Sequence, residues 1–217
     1  MTEASYLNTT RTDYDAVAVR YAELFANAHR EVPLDRAILT AFAELVRVAD
    51  VGPVADLGCG PGQVTAYFRD LGVTAFGIDL SPTMIALARQ AYPDLRFEEG
   101  TMTDLDLADG TAGGILSWYS IIHTPPEQLP LVFAEFDRVL APGGHILLGF
   151  FQADDDAPQP AQAFDHKASA AYRWSLNGVA ELARKAGFVE VARMVREPGD
   201  TERFRQGRLL ARKPSRA

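Results

Sequence analysis

Three groups of residues in this 217-residue chain have types and spacings that could do chemistry. The first is Val54-Ala55-Asp56-Leu57-Gly58-Cys59-Gly60-Pro61-Gly62, an apolar run followed by glycine at every second position. Glycine is needed where the backbone takes positive φ or where a ligand comes close to it. A helical pattern leaves the loop, so free N–H groups and the positive end of a helix dipole face the turn. Such a turn suits a ligand head that is anionic or rich in hydroxyls. It is not a phosphate loop, because no Gly-Lys-Ser/Thr follows Gly62. Nor is it the dinucleotide fingerprint, whose third glycine would fall on Gln63. The second group is Asp79-Leu80, at the end of the next apolar run. A carboxylate there can accept hydrogen bonds from both vicinal hydroxyls of a ribose. The third is Ser117-Trp118-Tyr119-Ser120-Ile121-Ile122-His123. Its aromatic faces can hold a cation, for roughly 0.5–2 kcal/mol. His123 can take a proton from an oxygen or nitrogen nucleophile near neutral pH. The competing reading is a histidine that closes the turn before Pro125-Pro126.

The elements that must position these groups follow from periodicity and breakers. Residues 1–11 are polar and read as frayed, with a helix starting at Thr12 or Asp13. Tyr14, Val17, Tyr21, Leu24 and Phe25 share one face of it. A second helix begins at Pro33, with Leu34, Ile38, Phe42 and Leu45 inward. Beyond the glycine turn the pattern predicts a helix over 63–71, a strand over 73–78 and a helix capped by Ser81-Pro82. Further strands fall at 95–98, 114–117 and 145–150, with a helix over 127–140. Residues 152–170 show no periodicity and read as a lid over the substrate end. A helix over 175–186 and two strands, 189–195 and 204–211, close the chain as a hairpin. Arg203, Arg205, Arg208, Arg212 and Lys213 read as edge protection and solubility on that last strand.

Alternation of strand and helix implies a parallel sheet with helices on both faces, and the hairpin implies an antiparallel edge. The length suits one domain, read as a helical cap (1–50), a cofactor-binding core (51–151), a substrate lid region (152–174) and a closing helix and hairpin (175–217). A net charge of −8 argues against a nucleic-acid partner. Cys59 is the only cysteine, which fits a reducing cytoplasm. The charged first thirty residues exclude a signal peptide, and no apolar run reaches membrane-spanning length. Asp154-Asp155-Asp156 is poorly spaced for a metal, so none is expected. His29, His145 and His166 are weaker candidates for chemistry than His123.

The pattern Asp-x-Gly-x-Gly-x-Gly over Asp56–Gly62 resembles the first motif of the class I S-adenosylmethionine-dependent methyltransferases. Asp79 after the second strand and Leu140-Ala141-Pro142-Gly143-Gly144 before the fifth fall where that family has its next motifs. The resemblance covers about residues 33–212 and implies a Rossmann-like seven-stranded sheet in the order 3-2-1-4-5-7-6. It implies S-adenosylmethionine as cofactor, with Gly58 and Gly60 at its amino-acid end, Asp56 among the cofactor-site residues as the one that orders the loop, and Asp79 and Leu80 at the ribose. Thr101 and Met102 take the adenine position, although Thr101 stands where many relatives carry Asp and Asp104 is the possible substitute. Ser117 and Trp118 take the methionine end. Tyr14-Asp15-Ala16-Val17-Ala18-Val19-Arg20-Tyr21 is similar to a stretch that lies over the cofactor in the family, which puts Tyr21 at the cofactor and Tyr14 at the substrate. The competing reading puts both tyrosines, Tyr14 above all, on the core face of their helix. Tyr119, His123, Phe164, Tyr172 and Trp174 complete the expected substrate pocket. The implied reaction is methyl transfer to oxygen or nitrogen of a small organic acceptor, with His123 as general base. The alternatives are a nucleoside-binding protein that transfers nothing and, more remotely, a nicotinamide enzyme.

Overall fold

The computed structural model describes residues 3–25, 31–154 and 161–215; His29, Asp155 and Asp156 lie outside them. Among the described residues the first elements are helices α1 (Glu3–Phe25) and α2 (Pro33–Ala49). Alternation then gives β1 (Val54–Leu57), α3 (Gln63–Asp70), β2 (Ala75–Asp79), α4 (Pro82–Ala91), β3 (Arg96–Glu99) and β4 (Ala112–Trp118). After a single 3-10 turn at Ile121–His123 come α5 (Leu129–Val139) and β5 (Leu140–Phe151). A short hairpin, β6 (Ala161–Phe164) with β7 (Ala171–Trp174), precedes α6 (Leu176–Lys185), β8 (Val189–Arg196) and β9 (Gln206–Arg212).

Seven strands form one sheet in the order β3-β2-β1-β4-β5-β9-β8. Counting only strands of that sheet, this is the order 3-2-1-4-5-7-6. Strands β1 to β5 pair in parallel, and β9 runs antiparallel to both β5 and β8. The chain is thus Rossmann-like, with helices on both faces. Side chains alternate across each strand. Ala55, Leu57, Ile115, Ile146 and Leu148 pack on α5 and α6, while Val54, Leu116 and Leu147 pack on α2 and α3. The strand order reverses between β1 and β4, and an open α/β sheet binds ligands beyond the carboxyl ends of its strands at such a point. Among the described residues, no helix is long and apolar enough to cross a membrane.

Several local expectations are corrected. Helix α1 starts at Glu3, not at Thr12, because tertiary packing replaces the missing apolar period: Tyr6 is buried. Thr9 and Thr12 return their hydroxyls to carbonyls one turn back, at 3.0 and 2.9 Å. Leu24, Phe25 and Leu34 are exposed; on α2 the buried apolar positions are Leu39, Phe42, Ala43 and Val46. Residues 161–174 contain a hairpin where an irregular lid was expected. Arg208 protects no edge. Strand β9 lies inside the sheet, and Arg208 is 1% exposed.

Candidate functional site

The glycine turn is built for close approach. Gly58, Gly60 and Gly62 have φ of 73°, 54° and 84°, the left-handed region that glycine enters without strain. A Cβ on Gly58 would lie 2.3 Å from Ser120 Cβ, and one on Gly62 would lie 2.7 Å from the Phe97 ring. At Gly60 only the Tyr21 ring comes near, at 3.9 Å, so that face of the turn is open. Asp56 lies under the turn, fully buried, accepting from Thr65 Oγ1 at 2.6 Å. Burial, opposed by that bond, pushes its carboxyl up to about 7.

Asp79, at the end of β2, braces the same turn. One carboxylate oxygen accepts from Gly60 N and the other from Ser81 N, each at 2.8 Å. A carboxylate has about four lone-pair sites, so each oxygen keeps capacity for one further donor. Burial raises its pKa, against the backbone N–H groups of Ser81, Gly60 and Leu80. Ser81 caps α4, accepting from Met84 N at 3.1 Å, which leaves Asp79 free of the capping role.

Between these groups and α1 is a cleft of about 800 Å³, counting the solvent at its mouth. Of the expected cofactor residues, Tyr21, Gly58, Gly60, Asp79, Leu80, Thr101, Met102 and Trp118 line it. Of the expected substrate residues, Tyr14, Tyr119 and His123 line it. Asp56 and Ser117 stand one layer behind. Ser117 Oγ lies 2.6 Å from Ser120 Oγ, which itself donates to Leu57 O and so ties β4 to β1. Phe164, Tyr172 and Trp174 are not on the cleft wall. Phe164 packs against Phe151, His166 and Phe204, and Trp174 is 1% exposed beneath the hairpin, with Tyr172 ring-to-ring beside it. Asp104 is exposed and off the wall. Tyr6, Leu7, Thr10 and Arg11 do line the cleft; their polar, aperiodic stretch carries no local signal of it.

His123 is buried, with both ring nitrogens engaged. Nδ1 lies 2.9 Å from Ala170 O, and a carbonyl can only accept, so Nδ1 carries the proton. Nε2 is then a lone pair, and Tyr14 donates its hydroxyl to it at 2.7 Å. The Tyr14 ring meets the His123 ring edge-on at 5.1 Å, and His166 stands on another side at 5.3 Å. Burial lowers the His123 pKa to about 4 and raises that of Tyr14 well above its ordinary value. The pair is therefore neutral at pH 7. Tyr21, also raised by burial, to about 12, packs against Tyr14. Among the described wall residues, Arg11 is the only cation and Asp79 the only carboxylate.

Residues 54–144 match a family model described as a methyltransferase domain. Phosphoethanolamine N-methyltransferase 3 of Arabidopsis thaliana is 31% identical over 156 residues, covering 68% of this chain and 31% of the relative. Trans-aconitate 2-methyltransferase of Rhizobium meliloti is 36% identical over 129 residues, covering 54% of this chain and 44% of the relative. The chain thus spans less than half the length of these curated relatives. Among solved structures, the 1,6-didemethyltoxoflavin-N1-methyltransferase of Burkholderia thailandensis, with 1,6-didemethyltoxoflavin and S-adenosylhomocysteine bound, superposes at a TM-score of 0.74. It is 22% identical and covers 99% of this chain and 92% of that one. The glycine motif and Asp79 stand at the ends of neighbouring strands within the matched segment, and on these grounds the chain belongs to the class I S-adenosylmethionine-dependent methyltransferase family.

Proposed function

We propose that this protein moves a methyl group from S-adenosylmethionine to a nitrogen or oxygen that carries a proton, on a small organic acceptor. One observation carries the reading: a single cleft has the glycine turn and Asp79 at one end and the neutral Tyr14–His123 pair at the other. The residues present fit the cofactor. Gly60 opens its backbone to the cleft, Asp79 keeps lone pairs for the ribose hydroxyls, and Trp118, Tyr119 and Tyr21 offer aromatic faces suited to a sulfonium. When bound, the cofactor supplies an electrophilic methyl group on a good leaving group, so alignment and exclusion of water can provide most of the acceleration.

The acceptor follows from the direction of one proton. Tyr14 gives its hydrogen inward to His123, so its oxygen shows only lone pairs to the cleft. It can fix an N–H or O–H nucleophile and offers nothing to a carboxylate oxygen. As the nucleophile takes the methyl group, its proton passes to Tyr14 Oη while the proton of Tyr14 passes to His123 Nε2. The imidazole acts through the tyrosine and does not touch the acceptor directly. Its pKa of about 4 makes it a transient holder, which suits a relay that returns the proton to solvent.

Calorimetry with S-adenosylhomocysteine and with NAD tests the cofactor: binding of the first alone is expected, and binding of NAD in its place defeats the reading. Labelled S-adenosylmethionine offered with amines, phenols and carboxylic acids tests the acceptor. Label is expected in the amine or phenol class; label confined to the acids rules out the role given to Tyr14.

A further inference from the structure

The mechanism makes no use of the best-buried cation among the described residues. Arg208 on β9 is 1% exposed and pairs at 2.9 Å with Asp35 of α2, itself 5% exposed. Taking both charges out of water is costly, and a buried ion pair is often no more stabilising than apolar residues of equal volume. Arg208 Nε also has no hydrogen-bond partner. The pair is thus a poor device for stability alone, and its surroundings show what it holds.

In the sheet register Trp118 of β4 stands beside Gly149 of β5, and Gly149 beside Arg208 of β9. The glycine leaves a gap in that row. A Cβ there would sit 2.7 Å from Trp118 Cε3, so the indole lies across the bare backbone. It meets the guanidinium of Arg208, whose central carbon is 4.3 Å from the indole ring centre. The same guanidinium lies 4.9 Å from the Tyr119 ring centre and donates to Tyr119 Oη at 2.5 Å. Tyr119 passes its own proton to Gln206 Oε1 at 2.7 Å. Its backbone has φ of 58°, a strained value for a residue with a side chain, kept only where the surroundings over-determine it. Trp118 and Tyr119 are the two rings of the cleft wall at the end of β4.

We propose that Arg208 is a positioning residue for the cleft: through the gap at Gly149 it fixes the planes of Trp118 and Tyr119, with Asp35 holding it from behind. The inference rests on the cofactor reading above, because those rings matter only if the cleft takes the adenosyl ligand. Arg208 touches no ligand itself.

The test uses the whole chain and S-adenosylhomocysteine as probe, so no acceptor is needed. Arg208→Met is expected to weaken binding about tenfold, within the range by which residues of one network couple. It is also expected to change the near-ultraviolet circular dichroism of the aromatic rings. A merely structural role would lower the melting temperature and leave the affinity and aromatic signal of the folded protein unchanged, which overturns the proposal. Gly149→Ala keeps the Asp35–Arg208 pair intact but pushes the indole aside, and should reproduce both effects. It decides the matter if Arg208→Met does not fold, since wild-type affinity in Gly149→Ala also overturns it. Failure of the unaltered protein to bind S-adenosylhomocysteine defeats the cofactor reading; binding that both variants share unchanged defeats the role of Arg208 alone.

Discussion

At the scale of residues, the proposed reading turns on one proton, the one held between Tyr14 and His123. Removing the tyrosine oxygen leaves the cleft lined and the cofactor end untouched. Tyr14→Phe should therefore lower kcat by about a hundredfold, the lower end of general acid–base effects, with S-adenosylhomocysteine affinity unchanged. Equal losses in both would make Tyr14 a packing residue. His123 also leaves a mark on stability. Its pKa of about 4 in the fold compares with an ordinary 6.5, so between these values the unfolded chain binds a proton that the fold refuses. Stability is full above about pH 6.5 and falls as the pH drops toward 4. Asp56, raised to about 7, acts in the opposite sense and gains as pH falls, so the comparison must isolate the imidazole. Between pH 7 and 5 the unaltered protein should lose about 2 kcal/mol more than His123→Gln in urea titrations. Parallel curves for the two would show that the imidazole is hydrated. Asp79→Ala should cost the cofactor about 1.5–3 kcal/mol, the value of hydrogen bonds to a charged group, read by calorimetry.

At the scale of elements, the turn between β1 and α3 is held by shape. Gly58→Ala would place a methyl group 2.3 Å from Ser120 Cβ at a φ of 73°, and Ser120 is tied to Leu57 and Ser117. It should destabilise the fold by about 2 kcal/mol or more and abolish S-adenosylhomocysteine binding; a stable variant that binds normally would mean that Ser120 yields freely. This turn, Asp79 and the strand–helix alternation were legible in the amino-acid sequence because each is local: glycines at fixed offsets, an acid at a strand end, periods of 2 and 3.6. The start of α1 was not, because Tyr6 is held by contacts and not by a repeating pattern. Arg208 was misread for a related reason. Its partner Asp35 is 173 positions away, and whether a strand lies at the edge or inside a sheet is a property of topology. The hairpin of β6 and β7 took Phe164 and Trp174 off the cleft wall, which spacing along an aperiodic stretch could not show.

Across the whole molecule, α1 lies over the cleft and is fastened at both of its sides. Asp15 accepts from Ser81 Oγ at 2.5 Å and from Thr83 N at 3.2 Å, Arg11 Nε donates to Leu80 O at 3.2 Å, and Gln63 Nε2 donates to Ala22 O at 3.3 Å. With the Tyr14–His123 bond, these join α1 to the ends of the strands. Amide hydrogen exchange in α1 should slow several-fold when S-adenosylhomocysteine is added, because Tyr21 of α1 borders the open face of Gly60 that it would approach. Exchange that is indifferent to the ligand would place the binding elsewhere. The same fastening governs departure. A helix that lies across the cleft must also let go before spent cofactor can leave, and its undoing takes several hydrogen bonds at once. The first methyl transfer in each molecule would then outrun every later one, and loosening Asp15 would quicken the enzyme's steady pace while leaving that first event unhurried.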